Sequence, residues 1–357
     1  MDQSNINLIG LDENMSNAAR NFPGMFIARV SAAHRGMFQV LSVQGELLAE
    51  ISGKLRGSMS YPVVGDFVMI DRESDSEGHA VIHVILPRRT LFTRQAAGTG
   101  HELQHIAANI DRVFICMALV NDYNLRRLER YLTAAWESGA LPLIVLTKAD
   151  LCDEVEIKFQ EVRGLALGVE VIVVSGRSGE GIETLSAQIT HGSTCAFIGS
   201  SGIGKTTLIN ALLGSPVLAT GAVRSDGKGR HTTTRRELFA LPNGAWVLDT
   251  PGMRELGLER GDLDKAFADI TELGWNCHFR DCSHTSEPGC AVLEAIREGG
   301  LTQGRLASYH KLQKELGYEG LNSRQIESRK LDQMLADFGG VKNANKYIKE
   351  KNRQRGR

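Results

Sequence analysis

Eight residues, Gly199-Ser200-Ser201-Gly202-Ile203-Gly204-Lys205-Thr206, have the spacing of a phosphate-binding loop. Glycines let backbone N–H groups turn inward around phosphates, and a helix that follows adds its N-terminal dipole. Lys205 is placed to reach the β- and γ-phosphates, the Thr206 hydroxyl to ligate Mg²⁺, and Thr207 opens the helix. A second motif, Asp249-Thr250-Pro251-Gly252, ends an apolar run. Asp249 there holds Mg²⁺ through water, and Gly252 offers its N–H to the γ-phosphate. Between them, Gly227 to Thr234 is glycine-rich, basic and hydroxyl-rich, as a switch loop would be. One of Thr232, Thr233 and Thr234, with Thr233 as the working choice, completes the Mg²⁺ shell. Many enzymes of this kind carry a water-orienting Gln directly after the Asp-x-x-Gly motif. Met253 occupies that position here, so intrinsic hydrolysis is expected to be slow, and His231 is the candidate for ordering the water.

A third motif reads the base. Thr147-Lys148-Ala149-Asp150 follows an apolar run. Asp150 can accept two hydrogen bonds from guanine N1 and N2; adenine has no such donors, so the carboxylate would go unpaired and disfavour ATP. The Lys148 stem packs on the base and ribose. Thr147 stands where Asn is usual, which is expected to weaken one supporting hydrogen bond. Ser175-Gly176, after the next apolar run, falls where a backbone N–H would meet guanine O6.

The motif order is inverted. An ordinary GTPase chain meets its phosphate loop first and its base reader later. Here the base reader comes first, which implies a circularly permuted GTPase domain.

The other cluster is Cys277-x4-Cys282-x-His284-x5-Cys290. Three sulfurs and one imidazole favour one structural, tetrahedral Zn²⁺. His278 is the weaker nitrogen candidate. Cys116, Cys152 and Cys195 read as structural thiols.

These groups need elements to hold them. Five short β-type runs lie between Gly24 and Pro87: Met25 to Val30, Met37 to Val43, Leu47 to Ile51, Asp66 to Ile70 and Ala80 to Ile85. They fit an OB-type barrel over residues 24–90, with Arg29, Arg35, Lys54 and Arg56 available to line one face. Alternating strands and helices over residues 100–260 predict a mainly parallel α/β sheet. Residues 261–341 read as a mostly helical zinc-binding domain, residues 1–23 as a flexible arm and residues 342–357 as a basic tail suited to phosphate contacts. The chain has 357 residues, 42% hydrophobic and 23% charged, with net charge −1. That is enough for two or three soluble domains, and no apolar run is long enough to cross a membrane. No export signal is read in the first 21 residues.

The barrel, the inverted motif order, Gly-Arg-His-Thr-Thr-Thr, Asp-Thr-Pro-Gly and the Cys/His pattern ending in Glu287-Pro288-Gly289-Cys290 occur together. In this combination the chain resembles the ribosome small-subunit-dependent GTPase A family (RsgA, also called YjeQ) from about Gly24 to its end. The resemblance implies a cytoplasmic late assembly factor for the 30S subunit. Such a factor binds the subunit, checks its decoding region and leaves when the ribosome stimulates GTP hydrolysis. It further implies that the barrel contacts 16S rRNA, that the zinc domain touches the subunit, and that the protein acts as a monomer. A GTP-gated RNA-binding protein with incidental hydrolysis is the alternative. A P-loop kinase or ATPase is disfavoured by the base reader. The permutation places Gly257 to Asp262 as a hinge from the second switch into the zinc domain.

Overall fold

The computed structural model describes residues 9–34, 36–57, 61–74, 78–95, 103–218, 237–249 and 263–316. The first element is a helix, α1 (Glu13–Ala19), capped by Asp12, whose Oδ1 accepts from the Met15 amide at 2.7 Å. Ile9, Leu11, Met15 and Ala19 are buried against Ile27, Phe67, Met69 and Leu86. From residue 9 onward, then, the segment expected as a flexible arm is packed, because its apolar residues find a matching surface.

That surface is the outside of a barrel. β1 (Phe26–His34), β2 (Met37–Ser42), β3 (Gly45–Ile51), β4 (Phe67–Ile70) and β5 (Ala80–Ile85) pair in the order β1-β2-β3-β5-β4, and β4 returns to β1. Closure leaves Ala28, Val30, Val68 and Ile70 inside and turns Ile27, Phe67 and Met69 toward α1, as strand alternation requires. β1 runs four residues further than its sequence pattern indicated. Its register shifts between Val30 and Ala32, and beyond that point it pairs with a strand of the next domain.

A strand pair not anticipated from the sequence follows, β6 (Leu91–Gln95) and β7 (Leu103–Ala108). It is tied to the barrel corner at Gly65-Asp66. Buried Asp66 accepts from Arg88 through Nε and Nη2, both at 2.7 Å, and Asn109 Nδ2 donates to Gly65 O at 3.1 Å.

The α/β domain then runs β8 (Arg112–Ala118), α2 (Leu125–Ser138), β9 (Leu141–Thr147), α3 (Val155–Leu165), β10 (Val171–Val173), α4 (Ile182–Ala187), β11 (Thr194–Ile198), α5 (Lys205–Leu213), β12 (Glu237–Ala240) and β13 (Trp246–Asp249). Strands β10-β9-β8-β11-β13 are parallel, and β12 closes that side antiparallel to β13. Apolar cores cover both faces of the sheet. Ala32 of β1 pairs with Glu237 of β12, so the barrel and the α/β domain share one hydrogen-bonded ladder of eleven strands.

Arg29 locks this junction and is not on an open face. It is fully buried; Nη1 donates to Ile9 O at 3.1 Å and Nη2 to Thr194 Oγ1 at 2.6 Å. Its guanidinium lies 5.0 Å from the Phe67 ring and 5.6 Å from the Trp246 ring. Burial lowers its pKa to about 10, which leaves it charged at neutral pH. Of the four cations expected on the barrel face, Arg29 is therefore withdrawn. Lys54 and Arg56 are exposed, and Arg35 lies outside the described residues.

The last lobe comprises α6 (Leu263–Ala266), α7 (Ala268–Gly274), α8 (Ala291–Arg297) and α9 (Gln303–Leu316). Its Phe267, Ile270, Val292, Leu306 and Leu312 share one core with Leu128, Leu132 and Ala135 of α2. At the seam, fully buried Glu129 of α2 accepts from Arg305 Nη1 at 2.9 Å, Arg126 Nη1 at 2.6 Å and Ser308 Oγ. Arg305 also holds Asp269 through two bonds and stacks 4.2 Å from the Phe267 ring centre.

Candidate nucleotide and metal sites

The parallel sheet brings the base reader and the phosphate loop to one edge. Thr147 ends β9, Ser175 follows β10 and Gly199 follows β11, all at the carboxyl ends of parallel strands. That is where ligands bind in open α/β sheets. β11 and β13 are in register as Phe197↔Asp249, so the backbone of Asp249 lies beside the strand that enters the phosphate loop.

The loop's shape follows from its glycines. Gly199 has φ +136°, and a Cβ there would strike Cys116 O and Ile203 Cδ1. Gly204 has φ +102° and turns the chain into α5. Lys205 Nζ donates to Gly199 O at 2.8 Å and Ser200 O at 2.6 Å, folded back over its own loop. Thr206 and Thr207 lie in the first turn of α5, and Ile203 is buried beneath the loop.

A cleft of about 190 Å³ lies beside the loop, lined by Thr147, Lys148, Asp150, Gly176, Ile203 and Thr207 among others. Gly176 keeps it open, since a Cβ there would meet Thr207 Cγ2 at 2.9 Å. Buried Ser175 donates from Oγ to Asp150 Oδ1 at 2.7 Å and fixes the carboxylate at the cleft. The Ser175 amide is already engaged, donating to Glu180 O at 2.9 Å. Lys148 adopts the left-handed conformation, φ +61°, between buried Thr147 and buried Ala149. Thr147 makes a supporting bond of its own. Its Oγ1 donates to Ile203 O at 2.6 Å and joins base reader to phosphate loop. Thr147→Val is expected to destabilise the fold by about 1–3 kcal/mol by stranding that buried carbonyl. Urea unfolding with and without GDP measures it, and an unchanged midpoint in both would show the bond is idle.

Two contacts at this site had no signal in the sequence. Arg127 of α2 donates to Ser200 Oγ in the phosphate loop and pairs with Asp122 at 2.6 Å. The contact joins residues 73 apart in the chain, and no motif surrounds Arg127. Leu151 and Arg177 also line the cleft.

The Cys/His cluster lies between α7 and α8. Cys277, Cys282, His284 and Cys290 place their donor atoms within 4.8 Å of one another. Cys277 Sγ and Cys290 Sγ are 3.9 Å apart, and His284 Nδ1 lies 3.6 Å and 3.4 Å from them. A tetrahedron with Zn–S bonds of about 2.3 Å needs sulfurs about 3.8 Å apart, so the donor set fits that ion. Burial, followed by nearby His310, lowers the pKa of His284, in the direction that favours the neutral imidazole a ligand must be. Burial alone would raise Cys277, but the amides of Ala291 and Val292 and the neighbouring thiols hold it below the usual thiol range.

The RsgA GTPase family matches residues 85–259. A second match, to the ABC transporter family over residues 182–352, covers the phosphate loop but not the base reader. The protein named small ribosomal subunit biogenesis GTPase RsgA 2 of Lactiplantibacillus plantarum is 49% identical over 92% of this chain and 93% of its own length. The chain belongs to the RsgA family. RsgA of Methanosarcina acetivorans is 42% identical over 94% of this chain and 93% of its own. The crystal structure of YjeQ from Thermotoga maritima superposes with a TM-score of 0.62 at 28% identity, covering 82% of this chain and 98% of that one. The fold expected from the sequence is thus the family's fold, with a closed five-stranded barrel, a permuted P-loop domain and a Cys/His lobe. In this RsgA-family chain no helix among the described residues is long and apolar enough to cross a membrane. His231, Thr232, Thr233, Thr234, Gly252, Met253, the 257–262 hinge and the 342–357 tail lie outside the described residues.

Proposed function

We propose that this chain hydrolyses GTP to GDP and phosphate on the small ribosomal subunit, late in that subunit's assembly, and leaves it on hydrolysis. The observation that carries the reading is identity of 49% over 92% of the chain with a protein named for small ribosomal subunit biogenesis, supported by a cleft that holds the Asp150 carboxylate against Ser175. Asp150 takes the base N–H groups, Ser175 holds its carboxylate in place, Thr147 ties the base reader to the phosphate loop, and Lys148 flanks the ring. Gly199 to Thr207 cradle the phosphates, with Lys205 leaving its loop carbonyls for the β/γ-phosphates. Thr206, Asp249 and Thr233 are the Mg²⁺ ligands; the ion neutralises charge developing on the phosphate oxygens. Gly252 meets the γ-phosphate, and His231 orders the water in place of the absent Gln. Cys277, Cys282, His284 and Cys290 hold one structural Zn²⁺. The barrel and residues 342–357 contact 16S rRNA, and the protein works as a cytoplasmic monomer.

Steady-state GTP turnover at rising concentrations of purified 30S subunit tests this. Stimulation of at least about tenfold is expected, with His231→Ala losing most of it, as for removal of a group that positions the reacting water. GTP-dependent subunit binding without stimulation would instead mark a GTP-gated RNA binder. Full stimulation of His231→Ala would move the water-ordering role to another residue.

A further inference from the structure

We infer that Glu287 is a positioning residue for the metal centre: its carboxylate sets the backbone on both sides of His284 so that the imidazole faces the three sulfurs. The inference rests on reading Cys277, Cys282, His284 and Cys290 as a zinc site.

His284 has φ +56°, a left-handed conformation that non-glycine residues seldom hold without local support. In that conformation Nδ1 lies 3.6 Å from Cys277 Sγ and 3.4 Å from Cys290 Sγ. The support converges on one side chain. Glu287 Oε1 accepts from the Ser283 amide at 2.9 Å and from the Ser283 hydroxyl. Oε2 accepts from the Thr285 amide at 2.9 Å and the Ser286 amide at 3.0 Å. One carboxylate thus ties the residue before His284 to the two after it. His310 Nε2, 2.9 Å from Ser283 O, adds a tie from α9.

A metal-bound histidine is usually oriented through its second ring nitrogen. Here the ties lie on the chain flanking the ring. The charge on Glu287 matters because both oxygens face donors. Hydrogen bonds from Ser283 and the amide of Ser286 hold its carboxyl far below the usual carboxylate range. A glutamine would turn an NH₂ group against an N–H donor, so Glu287→Gln should fail almost as fully as Glu287→Ala.

The test uses the zinc-loaded full-length chain, with zinc transfer to a chromophoric chelator and the absorption of the cobalt-substituted protein as readouts. Glu287→Ala and Glu287→Gln are each expected to lower zinc affinity about 10–100-fold and to alter the cobalt spectrum as the imidazole leaves. GDP binding by the nucleotide cleft, unchanged, serves as the folding control. In a His284→Ala background, Glu287→Gln should add almost nothing, whereas a general stabilising role would add its full effect. Wild-type zinc affinity in both single variants, or full additivity with His284→Ala, overturns the inference while leaving the zinc site intact. An unaltered chain that binds neither zinc nor cobalt overturns the metal reading and the inference together.

Discussion

Glu129→Ala is expected to lower the stability of this protein by about 3–5 kcal/mol, measured by urea unfolding. The side chain is fully buried at the seam between α2 and the Cys/His lobe. It accepts from two guanidinium groups and a hydroxyl. Removing it leaves Arg305, itself only 5% exposed, with Asp269 and Ala266 O as remaining partners. The loss is large because a buried cation is left under-compensated, which costs more than the pair contributed when whole. Glu129→Gln keeps an acceptor for Ser308 or Arg305 and should lose less. A loss below about 1 kcal/mol for Glu129→Ala would mean water replaces the carboxylate and the seam is wet.

Asp150→Asn is expected to exchange the preferred base. In the present cleft Ser175 holds Oδ1, so an asparagine keeping that bond would turn its amide nitrogen toward the ligand. Guanine offers two N–H donors there, and donor would meet donor. Two charge-assisted bonds at about 1.5–3 kcal/mol each correspond to a fall in GTP affinity of about 10²–10⁴-fold. Xanthine carries a carbonyl in place of the exocyclic amine, so xanthosine triphosphate should bind the variant better than GTP. Titration of both nucleotides against both proteins checks it. An Asp150→Asn variant that kept GTP affinity would remove Asp150 from the base site.

The motifs were legible because phosphate and base chemistry fix residue type and spacing locally. Gly199 to Thr206 and Thr147 to Asp150 needed only strand–loop–helix context, and the sheet placed both at one edge. The barrel was legible from five short β-type runs separated by glycine and polar turns. What the sequence concealed was long-range. Arg29 and Glu129 are charged residues of types that ordinarily face water. Nothing near either announces a partner such as Thr194 or Arg305, at sequence separations of 165 and 176. Only the fold shows Ile203 O within reach of Thr147. The arm was misread for a similar reason: Ile9, Leu11 and Met15 are too few to signal a helix that a barrel wall completes.

The burial of Arg29 bears on how the chain is made. Its hydrogen-bond partner Thr194 and its stacking partner Trp246 are translated long after the barrel is complete. Synthesis at about 5–20 residues per second leaves an interval of about eight to thirty seconds between Ile85 and Trp246. During it the nascent barrel lacks Thr194 and Trp246 around Arg29, and β1 beyond Val30 has one edge open where β12 will pair. That edge is covered only when β12 emerges, and Arg29 gains its last partners with β11 and β13. An isolated barrel fragment inherits the same exposed edge, and substitution of Arg29 should hinder expression of the full chain more than expression of that fragment.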